Sequence, residues 1–592
     1  MPWTNIPFLI GRLNSVNLSS VKPRQSSIHD TLDCGSPQNA LLSSLTSIIR
    51  RGLGSRSRAV TVLHPSSTSR PTSQAHPSTP DIIFIGIIHN VQHAFHLVDH
   101  GPAAGDEDQA ALEQFRDFWG DKSELRRFKD GRIVESVVWE VTTADEMAHI
   151  PSIIVRYLLK RHFNIGEGDV ETWQTSFDSV LRLPQSISQE YLASKISTGF
   201  RGALTAFDDL VKAIKKLDDD LPLTLLNISP TSEFLRYTSI FSPVPLPRTL
   251  AASLPESARY LAPMDIIIEF EKSTRWPDDL KAIQTIKLAF FECLASALMK
   301  SVDGLKAIVV VGDGVHTSDI LDKACLEIVT PDGWAFSAHI WHDREVHLLD
   351  RIISGNGDLP HIVVKNKTNK KTTEYFEALE AKQIYLRRFI HAPRHHRAIA
   401  TLYHHYPAFS GTVRIVKRWL ASHWLLSTHI SEEVVELICA SFFVDGSRAS
   451  IMDMDTEQTS QHLVPGSKER GFSAVVQFLK EWKWEDGLVV PLYGLPPANL
   501  SDASSTPSVN NVMMHKGVWR VSTEHDREGH VWTSNGPDLV VARRVRSLAD
   551  ATWNCLQTLE QAQIDIKVGF QHTTLLQNNG RDMAKLFFSL NR

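Results

Sequence analysis

The sequence predicts a chain of α/β units joined to an all-α unit, and three observations predict it. Its 592 residues are 42% apolar and 22% charged, and a single core rarely grows beyond about 250–300 residues, so about three or four domains are expected. Short β-branched runs at Ile82 to Ile88, Ile133 to Val138, Ala307 to Val311 and Cys325 to Val329 read as strands set between helical stretches. From Thr368 onward the apolar residues recur at helical spacing instead.

Residues 1–39 belong to a stretch rich in Ser, Pro, Thr and Arg and are expected to be disordered. An amphipathic run, Leu41 to Val62, precedes a further such stretch, and an α/β domain is expected over 40–148. In it, Ala111, Leu112, Phe115 and Phe118 fall at helical spacing, so Asp106 to Phe118 predicts a helix lying on the sheet. Arg126, Arg127, Lys129 and Arg132 crowd the turn before the strand at Ile133. Such a cluster is either a solvated, salt-bridged turn or a rim that meets phosphates.

A second α/β domain is expected over 149–355, beginning with helices at Pro151 to Phe163 and Thr198 to Leu217. Leu221 to Ile228 then reads as a strand, and Ser229-Pro230-Thr231-Ser232 supplies cap residues for a helix near Glu233. This order is how a nucleotidyltransferase begins. Active members follow a Gly-Ser turn with two carboxylates separated by one residue, which hold Mg²⁺ against the triphosphate. Here the stretch reads Leu235-Arg236-Tyr237-Thr238-Ser239, with a cation where ligands should stand. Ser229-Pro230 occupies the turn, and proline has no N–H for a phosphate cradle. A later strand, Met264 to Glu271, places Asp265, Glu269 and Glu271 on one face with Ile267. Without the upstream pair, these acids read as the solvated side of a half-buried strand. Gly312-Asp313-Gly314 lacks both the dinucleotide spacing and a Walker lysine, so it reads as a tight strand connection.

A helical domain is expected over 356–503. Thr368 to Arg397 mixes Lys370, Lys371, Lys382, Arg387, Arg388, Arg394 and Arg397 with Tyr375, Phe376, Tyr385 and Phe389, a pattern that suits either single-stranded RNA or an ordinary amphipathic helix. His391, His395, His396, His404 and His405 come without a Cys or carboxylate pattern, so they are expected to face solvent or phosphate rather than a metal. Along Thr412 to Leu425, Val413, Val416 and Leu420 share one face while Arg414, Lys417 and Arg418 share another. Ser431, followed by Glu432 and Glu433, caps the next helix. A helix over Phe472 to Trp484 completes the unit. A last α/β domain is expected over 504–592, with Arg543, Arg544 and Arg546 on a helix running to Leu559, and its end, Gln571 to Arg592, is expected to be incomplete or differently spliced.

The net charge of −5 gives no global pull toward nucleic acid, so RNA contact must come from local patches. Five widely spaced cysteines, with no Cys-x-x-Cys pair, predict neither a disulfide framework nor a zinc knuckle and suit a reduced compartment. No continuous apolar run approaches the roughly 18–20 residues that span a bilayer, so a soluble chain without a signal peptide is expected.

One string is more specific than any of these patterns: Phe118-Trp119-Gly120-Asp121-Lys122-Ser123-Glu124-Leu125-Arg126-Arg127-Phe128-Lys129-Asp130-Gly131-Arg132, running on to Trp139. Together with Val98-Asp99-His100-Gly101-Pro102, Arg236-Tyr237-Thr238, Trp276-Pro277-Asp278-Asp279-Leu280, Pro407-Ala408-Phe409, Lys417-Arg418-Trp419 and Trp532-Thr533-Ser534-Asn535-Gly536-Pro537, it resembles the Nrap family of nucleolar RNA-associated proteins. The resemblance covers roughly residues 40 to 560. It implies two tandem modules similar to CCA-adding enzymes, of which this chain carries the last part of the first and then the second. The four units would then resemble the family's third domain, a degenerate nucleotidyltransferase-like fourth, a poly(A)-polymerase-like helical fifth and an α/β sixth. It also implies a nuclear, nucleolar setting in the small-subunit processome. Pre-ribosomal RNA, the U3 ribonucleoprotein and the ribosomal RNA processing protein seven are the implied partners, with no cofactor. The expectation is a non-catalytic scaffold that binds RNA through Arg126, Arg127, Lys129, Arg132, Arg387, Arg388, Arg394, Arg397, Arg414, Lys417, Arg418, Arg543 and Arg544. An active RNA nucleotidyltransferase using Asp265, Glu269 and Glu271 is the alternative, and a protein-only platform is a third.

Overall fold

The computed structural model describes residues 13–17, 37–63, 82–90, 93–103, 109–128, 131, 133–141, 144–172, 177–178, 180–218, 221–254, 259, 261–273, 276–312, 320–354, 367–444, 464–493, 517–534 and 536–564. Three hydrophobic cores organise them.

The first core lies under an antiparallel sheet of β1 (Leu13–Asn17), β2 (Ser57–Leu63), β3 (Ile82–His89) and β7 (Val170–Thr172), in the order β2-β3-β1-β7. Strand β3 is apolar almost throughout and buries Ile83, Ile85 and Ile87. It therefore pairs on both edges, and one edge takes β1, from a stretch expected to be disordered. The polar sequence LNSVN gives no alternation of its own, so the strand is selected by its neighbours. Helix α1 (Pro37–Leu53) covers the sheet with Leu45, Ile49 and Leu53.

The runs at Ile82 and Ile133 belong to two different sheets. Strands β4 (Val98–Ala103), β5 (Glu124–Arg127) and β6 (Ile133–Val138) form a second antiparallel sheet, β4-β6-β5, beside helix α2 (Gln109–Trp119). Trp119, Trp139 and Tyr157 meet ring to ring and join it to the first core. Tyr157 belongs to α3 (Ile150–Phe163), whose Ile150, Ile154 and Leu158 also enter that core. This helix, expected to open the second unit, instead finishes the first, because its apolar stripe faces α1 and the sheet.

The second core is built on a mixed sheet of β8 (Leu225–Pro230), β9 (Met264–Phe270), β10 (Lys306–Val311), β11 (Ala324–Val329) and β12 (Ala335–Trp341), ordered β10-β11-β12-β9-β8. Only β9 and β12 pair in parallel. Asp313 and Gly314 of the expected turn after β10 lie outside the described residues. Helices α4 (Gly199–Lys215), α5 (Leu280–Ser301) and α6 (Arg344–Ile353) pack here. The 22-residue α5 is long and apolar enough to cross a membrane by composition, yet Ile283, Phe291, Leu294 and Leu298 lie in this core, with Lys287 fully buried among them.

Helix α7 (Lys367–Tyr385) passes through a π-helical turn, Leu386–His391, into α8 (Ala392–His405), and Pro393, which has no N–H to donate, stands just after that turn. Ala378, Ala381, Tyr385 and Phe389 pack into the second core, so the start of the expected helical domain is fastened to the α/β unit before it. The third core gathers α9 (Pro407–Ser422), α10 (Glu432–Ala440), α11 (Lys468–Glu481) and α12 (Leu539–Ile564). Ser431 caps α10 by accepting from Val434 N at 3.3 Å, as its sequence predicts.

No separate α/β unit follows among the described residues. Val521–Ser522 forms only a two-residue parallel pair with Leu488–Val489, and Trp519, Trp532, Val545 and Ala549 all enter the helical core. The large indoles find their apolar cover on α9 to α11, which draws the 517–534 segment and α12 onto the bundle. Gln571 to Arg592 lies outside the described residues.

Candidate functional site

Beyond β8 the backbone does not continue as a strand. Ser232 Oγ accepts from Phe234 N at 3.3 Å and starts a single 3₁₀ turn, Glu233–Arg236, which Tyr237 ends in the left-handed region at φ 63°. The turn aims Arg236 inward rather than toward solvent. Its Nε and Nη2 donate to Glu436 of α10 at 3.0 Å each, and Nη1 donates to the carbonyl of Thr231. The cation of the Leu235-to-Ser239 stretch is thus bound to a carboxylate 200 residues away.

Glu436 is fully buried and collects further donors. Thr238 Oγ1 donates at 2.6 Å and Lys417 Nζ at 2.8 Å to Oε1, while His395 Nε2 lies 2.6 Å from Oε2. An ionised carboxylate only accepts, so His395 carries its proton on Nε2. Lys417 also donates to Glu233 at 2.9 Å and Glu432 at 2.8 Å. Burial alone would raise the Glu436 carboxyl, but Arg236, Lys417 and His395 overcome it and hold the group well below the usual carboxylate range. Burial, reinforced by Arg236, pushes neighbouring His396 down to about 3 and keeps it neutral.

The same seam is fastened by rings and backbone. Tyr237 stacks on Tyr403 with centroids 4.0 Å apart, and Ser410 Oγ donates to the carbonyl of Tyr237 at 2.6 Å. Arg414 Nε donates to the Ser239 carbonyl at 3.1 Å, with its guanidinium over the Phe200 ring. The chemistry of this arrangement is adhesion: Arg236 and Arg414 find their partners across the contact between the α/β and helical units, and Glu436 completes its set of donors there.

The acids of β9 are arranged differently. Asp265 is 61% exposed at its side chain and lies 3.8 Å from His339 Nε2, Glu269 is half-buried, and Glu271 follows the strand end. In the register, Asp265 faces Ser337, Ile267 faces His339 and Glu269 faces Trp341. Ile267, expected to share an open face with the acids, is buried. Four residues of strand separate Asp265 from Glu269 by about 13 Å, too far for perpendicular side chains to chelate one Mg²⁺ at about 2.1 Å.

Three domain models of one family match successive parts of the chain. They are Nrap protein domain 3 over 10–164, Nrap protein nucleotidyltransferase domain 4 over 176–404 and Nrap protein PAP/OAS1-like domain 5 over 406–576. The chain belongs to the Nrap family.

Among relatives, it is 28% identical over 534 residues to U3 small nucleolar RNA-associated protein 22 of Schizosaccharomyces pombe, covering 88% of this chain and 43% of that protein. The Saccharomyces cerevisiae protein of the same name is 27% identical over 523 residues, covering 82% and 39%. Nucleolar protein 6 of Xenopus laevis is 28% identical over 543 residues, covering 88% and 42%. The chain spans less than half the length of these relatives.

The cations expected to meet RNA meet different fates in this Nrap chain. Arg126 and Arg127 are exposed on β5, where Arg126 pairs with Glu124 at 2.6 Å, while Lys129 and Arg132 lie outside the described residues. Arg387 pairs with Glu433 at 3.4 Å and lies over the Trp532 ring, and Arg388 is half-buried. Arg394 and Arg397 are exposed on α8, and Arg543 and Arg544 on α12. Arg414 and Lys417 are buried in the seam, and Arg418 is half-buried over Phe241. Of the rings interleaved with the basic helix, Tyr385 and Phe389 are core, and Phe376 is exposed. His395 and His396, expected to face solvent or phosphate, are buried instead, whereas His404 and His405 are exposed.

Sequence reasoning missed Glu436. The available signal was a single acid inside the apolar run Val434 to Ala440, since a carboxylate there must find cations.

Proposed function

We propose that this chain is a non-catalytic scaffold that binds RNA and protein in nucleolar pre-ribosomal RNA processing and small-subunit assembly. The observation that carries the reading is Arg236, held by Glu436 where an active nucleotidyltransferase would present its metal ligands. The relatives named for the nucleolus and for U3 small nucleolar RNA support the setting. Pre-ribosomal RNA, the U3 ribonucleoprotein and processome proteins, including the ribosomal RNA processing protein seven, are the proposed partners. The exposed arginines 126, 127, 394, 397, 543 and 544 are the proposed RNA contacts.

The test is incubation of the purified chain with labelled ATP or CTP, Mg²⁺ or Mn²⁺ and a short RNA. The expected result is bound RNA without extension, with affinity that falls as salt rises. Extension that disappears in Asp265→Ala and Glu269→Ala variants would make the chain an enzyme and overturn the scaffold.

A further inference from the structure

Trp424 is the most exposed large apolar side chain among the described residues, at 82%. It stands where α9 ends. Leu425 N donates to Leu420 O at 3.1 Å and Trp424 N to Ala421 O at 3.0 Å, which puts Trp424 at the left-handed position after the helix, with φ +59°. Glycine is the residue that suits this position, and a bulky side chain strains it. The indole gains no burial in exchange, so folding gives no reason for it, and a strained, exposed aromatic points to a ligand.

The start of α12 lies beside it. The carbonyl of His429, in the loop that follows Trp424, sits so close to Gly536 that a Cβ there would meet it at 2.4 Å. His423, next to Trp424 in the chain, feels the charge of Arg544. Arg543 and Arg544 are exposed and form no ion pair with a carboxylate among the described residues. Val540, 75% exposed, lies on their side of the helix at three and four residues' spacing. The indole thus stands on the loop beside the start of α12, and Val540 with the two guanidinium groups stands on α12, locally cationic on a chain of net charge −5.

We propose that Trp424, Arg543 and Arg544 form a contact for single-stranded RNA, in which the indole stacks on an unpaired base and the two guanidinium groups meet flanking phosphates. This rests on the RNA-binding reading above and gives it a place. Stacking needs an unpaired base, because a paired one has its faces occupied.

Anisotropy of a fluorescein-labelled twelve-nucleotide oligouridine, titrated with the full chain across a salt series, tests it. Trp424→Gly relieves the backbone and should unfold no earlier than the parent, yet weaken RNA binding roughly tenfold with an unchanged salt slope. Trp424→Phe should keep most of the affinity, since a ring remains. Arg543→Ala with Arg544→Ala should flatten the slope by about 1.4, the value for two phosphates of a single strand. Binding by the parent chain with all variants unaffected would overturn this contact alone and leave RNA binding elsewhere on the chain. A parent chain that does not bind the oligonucleotide even at low salt would overturn both.

Discussion

Helices α9 and α12 each carry three cations within five residues, Arg414, Lys417 and Arg418 on one and Arg543, Arg544 and Arg546 on the other, and the fold uses them in opposite ways. On α9, Arg414 and Lys417 are buried against carbonyls and carboxylates from other elements. On α12, Arg543 and Arg544 stay in solvent. No acid lies within four residues of Arg414, Lys417, Arg543 or Arg544. A cluster of like charges therefore reports a local excess and nothing about depth, and its fate depends on a distant carboxylate.

The strongest way to break the comparison is Glu436→Gln. It leaves Arg236 and Lys417 buried without their shared anion, and breaking a buried pair costs about 3–5 kcal/mol. Urea unfolding should show the loss, and a variant as stable as the parent would mean the network is hydrated. Lys417→Met keeps the volume and removes one charge, while Glu233, Glu432 and Glu436 lose a shared donor, so about 3 kcal/mol is expected in the same assay.

Acid should act in two stages on α8 and α10. His396 is held at about 3 against an ordinary 6.5, so the unfolded chain takes up the proton first; its contribution is complete above pH 6.5 and is lost as pH falls toward 3. Glu436 is held below its ordinary 4.5, so its contribution is present above pH 4.5 and is lost as pH falls through its lower folded value. Urea midpoints measured from pH 7 to 4 should decline once pH falls below about 6.5, and His396→Asn should reduce that first loss, leaving the part carried by His342, which burial holds at about 4. The smallest effect is expected on α12, where Arg543→Ala with Arg544→Ala should change stability by no more than about 0.5 kcal/mol at any of these pH values.

Much of the architecture was legible where a segment's own chemistry decides its state. The short, β-branched runs at β3, β6, β10 and β11 are strands as read, and Ser431 announced α10. What was not legible depends on partners. LNSVN becomes β1 because β3 has an open edge, and Ile150–Phe163 joins the first core because α1 is there to receive it. The stretch 517–534 lost its expected sheet because Trp519 and Trp532 have more apolar area to bury on the bundle than two short strands could cover. At the candidate site, a cation in the stretch Leu235 to Ser239 could be read from the sequence. Arg236, Lys417, His395 and Glu436 could not be read as one cluster, because their meeting spans four elements.

The bond between Arg236 and Glu436 also sets an order of events during synthesis. When the strands and helices of the second core have left the ribosome, Arg236 still has no anion, because Glu436 is encoded 200 residues later. Until α10 emerges, the turn has its own local bonds, Phe234 N to Ser232 Oγ and Arg236 to the Thr231 carbonyl, but the guanidinium has no carboxylate at this seam. A fragment ending before Glu436 would therefore carry Arg236 without its anion, and the seam is completed only when both units are made.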